Sequence, residues 1–294
     1  MITLLLALAC LQEDPAGDAA RELDALVKKA SASGPFGIGA AKEYLELAGQ
    51  HAGRQIAGKN LKGGIEILAL AFDGLAKAIQ ALETKSPELR KVLMQLEKGK
   101  KRAAEAKDDE ARGVAYRYAI DRCGLLHSQE AGLSAGLFNM GVEYLSDGNL
   151  AEAEEAFTDA DAMHAALRGT TPEATPQGPR WAAIFLARVR MMQGKYKQGA
   201  ADLRRGLAAA PEFVGQEVAY AKLTKKEGEY AKILAKVEDY LKLNNDDKDA
   251  LLLYAHEKFF SEKRSSAKEP LMKVLQLDAK DSAAKLLMEH VEDE

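Results

Sequence analysis

At 294 residues the chain exceeds one ordinary domain, and its 47% apolar residues are enough to form a buried core. Aromatic residues make up only 6% and there is one tryptophan, which argues against a β-sandwich or an α/β enzyme. Abundant alanine, leucine, glutamate and lysine favour helices instead. A net charge of −4 and a pI of about 5.9 provide no basic field, so no nucleic-acid partner is expected.

The first 17 residues have the composition of a leader and linker. Met1–Leu11 is apolar but too short to span a bilayer, and Ala7-Leu8-Ala9 matches a signal-peptide cleavage site. Cleavage there would leave Cys10 at the new N-terminus, which resembles a bacterial lipoprotein. We therefore expect an exported, periplasmic or extracytoplasmic protein. Leu8 fits a lipoprotein signal poorly, so a lipid on Cys10 is an alternative within this prediction and would be the only membrane attachment. The alternative is a cytoplasmic protein whose first helix begins with apolar residues.

Residues 18–133 are predicted to form a segment of helical hairpins whose role the sequence leaves open. Its strongest feature is a narrow seam of apolar residues spaced by three and four, comprising Ile65, Leu68, Phe72, Leu75, Ile79 and Leu82. Ser86 and Asp108 are expected to cap the helices that follow. A seam of this kind can pair between chains, so a structural, self-assembling helical component is one alternative function.

Residues 53–60, GRQIAGKN, resemble a phosphate-binding loop in which Asn60 replaces the usual serine or threonine. Such a loop should follow a buried strand, but the stretch before Gly53 has a helical pattern. A nucleotide-binding enzyme using this loop is therefore the lesser alternative.

Residues 137–160 have the pattern of two short helices folded against each other. Gly141 and Tyr144 lie on one face of the first helix, a turn follows at residues 146–149, and Ala153 and Phe157 lie on one face of the second. Small residues stand where the backbones must come close and large ones where the space must be filled.

These positions resemble the tetratricopeptide repeat (TPR), a 34-residue helical hairpin. The resemblance extends over four units, 134–167, 180–213, 214–247 and 248–281, followed by a capping helix at 282–294. An inserted loop, residues 168–179, separates the first two units because its prolines and glycines oppose a regular helix. In the third unit, Ile233 and Tyr240 replace the small residues. The expected fold is thus all-α: a TPR-like α-solenoid of hairpins, residues 134–294, after an N-terminal helical segment.

In the TPR family the first helix of each unit lines a concave groove that binds peptides. The residues that fall in the corresponding places here are Asn139, Trp181, Phe185, Arg188, Lys222, Lys225, His256 and Phe259. Such a groove, basic in the middle with aromatic flanks, favours an acidic peptide with an apolar anchor. The oligomeric state is not indicated.

Other signs of chemistry are incomplete. His256-Glu257 begins a zinc-protease motif, but Phe260 stands where the second histidine is needed. Asp161 and His164 share a helix face, but two side chains are too few ligands for a metal site. We therefore expect a non-catalytic scaffold or adaptor, with no cofactor and no metal, that binds a protein or peptide.

Overall fold

The computed structural model describes residues 19, 21–23, 25, 38–80, 87–126, 130–167, 177–218, 220–225, 228–261 and 263–292. All regular secondary structure in these residues is helical, and helices adjacent in the chain pack in pairs, which confirms the all-α class built from helical hairpins. The chain forms two compact units, unit 1 (residues 1–127) and unit 2 (residues 128–294). The leader expected over residues 1–17 lies outside the described residues, as do the predicted cap at Ser86 and residues 168–176 of the inserted loop.

The described helices of unit 1 are α1 (Ile38–Ala57), α2 (Leu61–Gln80), α3 (Pro87–Glu105) and α4 (Asp109–Gly124). Helix α1 pairs with α2, α3 pairs with α4, and α4 also packs against α2. Asp108 caps α4 as the sequence predicts, because its carboxylate accepts a hydrogen bond from the Ala111 backbone N–H at 2.8 Å.

The apolar seam of α2 forms the core of unit 1. Its described members, Ile65, Leu68, Phe72, Leu75 and Ile79, are all buried. The partners of this seam belong to the same chain, since α1, α3 and α4 surround α2. The prediction that the seam is free to pair between chains is therefore wrong for its described part, and Leu82 lies outside the described residues.

Unit 2 is a row of hairpins. Its helices are α5 (Glu130–Ser146), α6 (Leu150–Leu167), α7 (Gln177–Arg180), α8 (Ala182–Met192), α9 (Tyr196–Ala209), α10 (Glu229–Leu243), α11 (Lys248–Ser261), α12 (Lys268–Leu277) and α13 (Ser282–Glu292). The hairpins are α5 with α6, α8 with α9, and α11 with α12. They stack because α6 packs against α8, α9 packs against α11, and α12 packs against α13.

In the first hairpin of unit 2, α5 and α6 come closest where Gly141 meets Phe157. Gly141 of α5 faces the ring of Phe157 on α6, and a Cβ atom placed on Gly141 would lie 2.6–2.8 Å from three ring carbons. Ala153 and Tyr144 are also buried between the two helices. The sequence predicts a small residue opposite a large one at this crossing. The absence of a side chain on Gly141 makes room for the Phe157 ring, so the two backbones can approach.

We expect Gly141→Ala to destabilise unit 2 by about 1–3 kcal/mol, because the new methyl group must displace the Phe157 ring. Chemical denaturation followed by the fluorescence of Trp181, the only tryptophan, measures this. In a Phe157→Leu background the same substitution should cost much less, because the ring that it meets is gone. Equal costs in the two backgrounds would show that the contact is not the cause.

The third predicted repeat, residues 214–247, does not form a regular hairpin. Where its first helix was expected, the chain has two short 3₁₀ helices, Pro211–Gly215 and Tyr220–Leu223. Its second helix, α10, packs against the side of α11, while α9 contacts α11 directly. Ile233 and Tyr240 stand where the repeat pattern predicts small residues. In the structure the Tyr240 ring packs against Tyr196 of α9, with the ring centroids 4.4 Å apart.

Candidate functional site

The irregular part of the third repeat lies against α8 and α11. We name residues 211–225 the linking segment, of which all but Ala219 are described. Tyr220 is fully buried, with its ring centroid 6.1 Å from that of Phe185, 5.5 Å from that of His256 and 5.3 Å from that of Phe260. The end of the segment reaches the turn between α5 and α6, where the Lys225 backbone N–H donates to the Ser146 carbonyl at 3.1 Å. The segment therefore covers the faces that the sequence assigned to a groove.

A buried ion pair lies beneath the linking segment. Arg188 on α8 and Glu257 on α11 have side chains at most 1% exposed, and Arg188 Nε donates to both carboxylate oxygens at 3.0 and 3.1 Å. Arg188 Nη2 also donates to the Tyr220 carbonyl at 3.2 Å, and the guanidinium carbon lies 4.5 Å from the Tyr220 ring centroid. A fully buried charge needs both a counter-ion and hydrogen bonds. Arg188 finds its counter-ion on α11 and one of its hydrogen-bond acceptors on the linking segment, so it connects the segment to both helices.

Burial controls the protonation of the groups around this pair. It lowers the pKa of His256 to about 3, with Arg188 contributing in the same direction. Burial also raises the pKa of Glu257, which the positive charge of Arg188 opposes, and raises the pKa of Tyr220 well above its ordinary value. His256 is therefore a neutral core residue at physiological pH.

The buried neutral state of His256 makes unit 2 sensitive to mild acid. Its folded pKa of about 3 lies below the ordinary value of 6.5, so below pH 6.5 the unfolded chain takes up a proton that the folded chain does not. Stability should therefore fall as the pH is lowered, by about 2 kcal/mol between pH 7 and pH 5 from this residue. Denaturation of the wild type and of His256→Gln at both pH values isolates this effect, because Glu257 is common to both proteins. Equal losses in the two proteins would contradict the assignment.

A basic pocket of about 660 Å³ opens beside the linking segment, between it and the end of α11. We name it the basic pocket; it is lined by Gln216, Glu217, Val218, Ala221, Lys222, Phe259, Phe260, Ser261, Lys263 and Arg264. Three of these residues are cationic and one is anionic. Phe259 and Phe260 are largely buried and form an aromatic side of the pocket, and the guanidinium carbon of Arg264 lies 5.0 Å from the Phe259 ring centroid. The pocket thus combines positive charge with an apolar surface.

The eight residues predicted to line a peptide groove differ in exposure: four are buried, Trp181 is half-buried and three are exposed. Phe185, Arg188, His256 and Phe259 are buried, and Trp181 packs against Phe213 with the ring centroids 5.2 Å apart. The prediction that these side chains form an open surface is corrected for the four buried ones, because the linking segment and the neighbouring helices cover them. Of these, only Phe259 also lines the basic pocket.

The other three predicted residues are exposed. Lys222 lines the basic pocket together with Phe259, so the structure brings these two together. Lys225 forms an ion pair with Asp147, its Nζ lying 2.7 Å from Oδ1, and Asn139 lies exposed on α5. Neither Asn139 nor Lys225 lines the basic pocket.

Sequence reasoning missed the partner of Arg188 and the basic residues after α11. Glu257 was assigned to an incomplete zinc motif, although it is the counter-ion of a residue 69 positions away. Lys263 and Arg264 were overlooked because they fall in a turn, outside the helix positions that the repeat pattern assigns to a ligand. A charge cluster directly after two aromatic residues, FFSEKR at 259–264, was the available signal.

The stretch that resembles a phosphate-binding loop is the end of α1 and a turn. Its backbone N–H groups at Gly58, Lys59 and Asn60 donate to carbonyls of the preceding helical turn. The Asn60 side chain accepts a hydrogen bond from the Gly63 backbone N–H at 3.0 Å and so caps α2. These amides are not free to hold a phosphate. In the described residues no three histidine, cysteine or acidic side chains are grouped to hold a metal ion.

A second cavity, of about 610 Å³, lies in unit 1 between α1, α2 and α4. Its lining is mostly apolar. Gly49 and Gly53 face open space: a Cβ atom added to either glycine would have no neighbouring atom within 4 Å. Glu110, Arg117 and Asp121 supply the charges at this cavity. Its walls come from three helices, so the spacing of residues within any one of them does not predict it.

Comparison of the chain with protein-family models, with curated proteins and with solved structures found no match. No helix among the described residues is long and apolar enough to cross a membrane.

Proposed function

We propose that the chain is a non-catalytic, TPR-like scaffold or adaptor that binds a protein or peptide through unit 2. The stacked hairpins of this unit support the proposal, as do turn glycines 34 residues apart, Gly194 and Gly228, which both adopt the left-handed conformation. The leader expected over residues 1–17 would place this binding outside the cytoplasm.

The basic pocket is the observation that carries the proposal. Lys222, Lys263 and Arg264 provide cationic groups for carboxylates, while Phe259 and Phe260 provide an apolar wall. A ligand that matches both features is a peptide with acidic residues around one apolar or aromatic anchor. Charge would guide and orient such a peptide, and burial of the anchor would supply most of the affinity.

The test uses a fluorescein-labelled, glutamate-rich peptide with a central phenylalanine, titrated with the intact chain. We expect saturable binding that weakens as salt is added, because the contacts include exposed charges. The double variant Lys222→Glu with Lys263→Glu should weaken binding by about tenfold or more, which corresponds to at least about 1.4 kcal/mol.

The matched control reverses two charges on α10. Lys232 and Lys242 are exposed and do not line the basic pocket, so Lys232→Glu with Lys242→Glu gives the same change in net charge. This control should bind the peptide within about twofold of the wild type at physiological salt, because distant surface charges are screened. Equal losses in both double variants would show that only the overall charge matters, and the proposed pocket would be rejected.

A further inference from the structure

The cavity of unit 1 has the size and the lining of a small-molecule site. Its volume of about 610 Å³ falls within the range of about 300–1,000 Å³ that is usual for such sites. Ala52 of α1 and Leu68 of α2 are buried in its lining, while Ile56 of α1, also in the lining, is 43% exposed. Apolar surface therefore continues from the buried part of the cavity to solvent, so a ligand can enter it directly.

The walls of this cavity are held by close packing between helices. A Cβ atom placed on Gly64 of α2 would lie 2.7 Å from Ile56 Cγ1 and 2.9 Å from the Ala52 carbonyl oxygen, so α1 and α2 are in close contact beside the cavity. On α4, an added Cβ at Gly113 would lie 3.8 Å from Ile65 Cγ1, which is an ordinary contact distance. The cavity therefore belongs to packed helices and is present before any ligand binds.

Two glycines of α1 enlarge the cavity without being needed for helix packing. Glycine within a helix is destabilising relative to alanine, and close packing explains its use at Gly64. The same reason does not hold for Gly49 and Gly53, which line the cavity and face open space. The main effect of their missing side chains is to leave room for another molecule.

The charged groups of the cavity all come from α4. Arg117 Nε lies 3.8 Å from Asp121 Oδ2, so these two charges compensate each other. The third group, Glu110, is exposed, and among the described residues its side chain forms no ion pair or hydrogen bond. The cavity thus presents one uncompensated negative charge beside an apolar surface.

We propose that the cavity of unit 1 binds a small amphiphilic cation, an apolar body that carries an amine or ammonium group. The apolar body fills the space beside Gly49 and Gly53, and the cationic group lies against the carboxylate of Glu110. Burial of apolar surface supplies most of the affinity, and the charge selects among apolar molecules. A carboxylate ligand of the same shape is disfavoured, because it brings a like charge to Glu110. This site lies in unit 1 and is independent of the peptide site proposed for unit 2.

The test compares two probes of equal chain length and opposite charge. Octylammonium and octanoate are each titrated into the isotope-labelled full chain and followed by NMR. We expect saturable shifts with octylammonium at cavity residues such as Gly53, Val114 and Ile120. Octanoate should bind at least about fivefold more weakly, which is the scale of one exposed charge interaction.

Gly53→Leu tests the cavity by filling it. We expect it to weaken octylammonium binding by about tenfold or more without lowering the thermal midpoint, because the new side chain enters open space and leucine favours a helix more than glycine does. Gly39→Leu is the matched control: Gly39 also lies on α1 and faces open space, but it does not line the cavity. This control should bind the probe as the wild type does.

Glu110→Gln tests the charge while the shape of the side chain is kept. It should weaken octylammonium binding by about threefold and should not weaken octanoate binding. Glu66→Gln, at an exposed position of α2 outside the cavity lining, should change neither. Both substitutions are at the surface, so this comparison and the comparison of probes do not depend on whether Gly53→Leu folds.

Three results would each overturn the proposal. The first is octylammonium binding with no saturable shifts at the cavity residues, or no binding at all. The second is octanoate binding as tightly as octylammonium. The third is a folded Gly53→Leu chain that binds octylammonium as Gly39→Leu does. Binding of the acidic peptide to unit 2 should be the same in all these variants, so the two proposals fail separately.

Discussion

Phe157→Ala is expected to reduce the free energy of unfolding of unit 2 by about 3–5 kcal/mol. The ring is fully buried, and its centroid lies 5.6 Å from that of Phe138 and 5.5 Å from that of Phe185. Its removal leaves a cavity between α5, α6 and α8 that these helices cannot close, because the Gly141 side of the hairpin has no side chain to fill it.

Denaturation followed by Trp181 fluorescence measures this loss in unit 2 itself, since Trp181 packs there against Phe213. The control is Leu243→Ala, at a position that is 87% exposed, where a change within about 0.5 kcal/mol is expected. A loss of less than about 1 kcal/mol for Phe157→Ala would place the ring outside the core and would contradict the first repeat.

Arg188→Met should cost about 3–5 kcal/mol at pH 7, because it leaves the Glu257 carboxylate buried without its counter-ion. It also removes the hydrogen bond to the Tyr220 carbonyl, so the linking segment should become more accessible. Denaturation at pH 7 and amide hydrogen exchange over residues 216–225 measure the two effects.

The double variant Arg188→Met with Glu257→Met separates the charge from the packing. It should recover most of the loss, because two apolar side chains of similar volume need no counter-ion. A double variant as unstable as Arg188→Met alone would mean that the unpaired carboxylate is not the cause.

The hairpins of unit 2 could be predicted because local rules determine them. Turns require a residue that tolerates positive φ, and Gly148 adopts a φ of +81° within the turn that the sequence predicts at residues 146–149. Close crossings require small residues, and a Cβ atom on Gly206 would lie 3.0 Å from the Ile184 backbone nitrogen. Both signals are contained within one repeat.

The site could not be predicted in the same way, because repeat register gives the position of a side chain on its helix but not what covers it. In the repeat pattern Arg188 directly follows a position reserved for a small residue, Ala187. In a regular array of repeats, a side chain at this place would line an open groove. Here the third repeat lacks its first helix, and the linking segment covers that face. The departures at Ile233 and Tyr240 indicated an irregular hairpin but not where the released chain would lie.

The seam of α2 shows the same limit. A spacing of three and four residues indicates an apolar face but not whether its partner is in the same chain. Ala41 and Ala48 of α1, together with Ala119 of α4, are buried in the same core, and small residues of this kind give no sequence signal comparable to the seam.

We propose that the basic pocket of unit 2 binds an acidic peptide with an aromatic anchor. The most direct test is an NMR titration of the isotope-labelled chain with the glutamate-rich peptide that contains a central phenylalanine. We predict shifts concentrated at Lys222, Phe259, Lys263 and Arg264, saturating together, with none at the cavity of unit 1. Saturable shifts confined to unit 1, or no shifts at these four residues at saturating peptide, would contradict the claim.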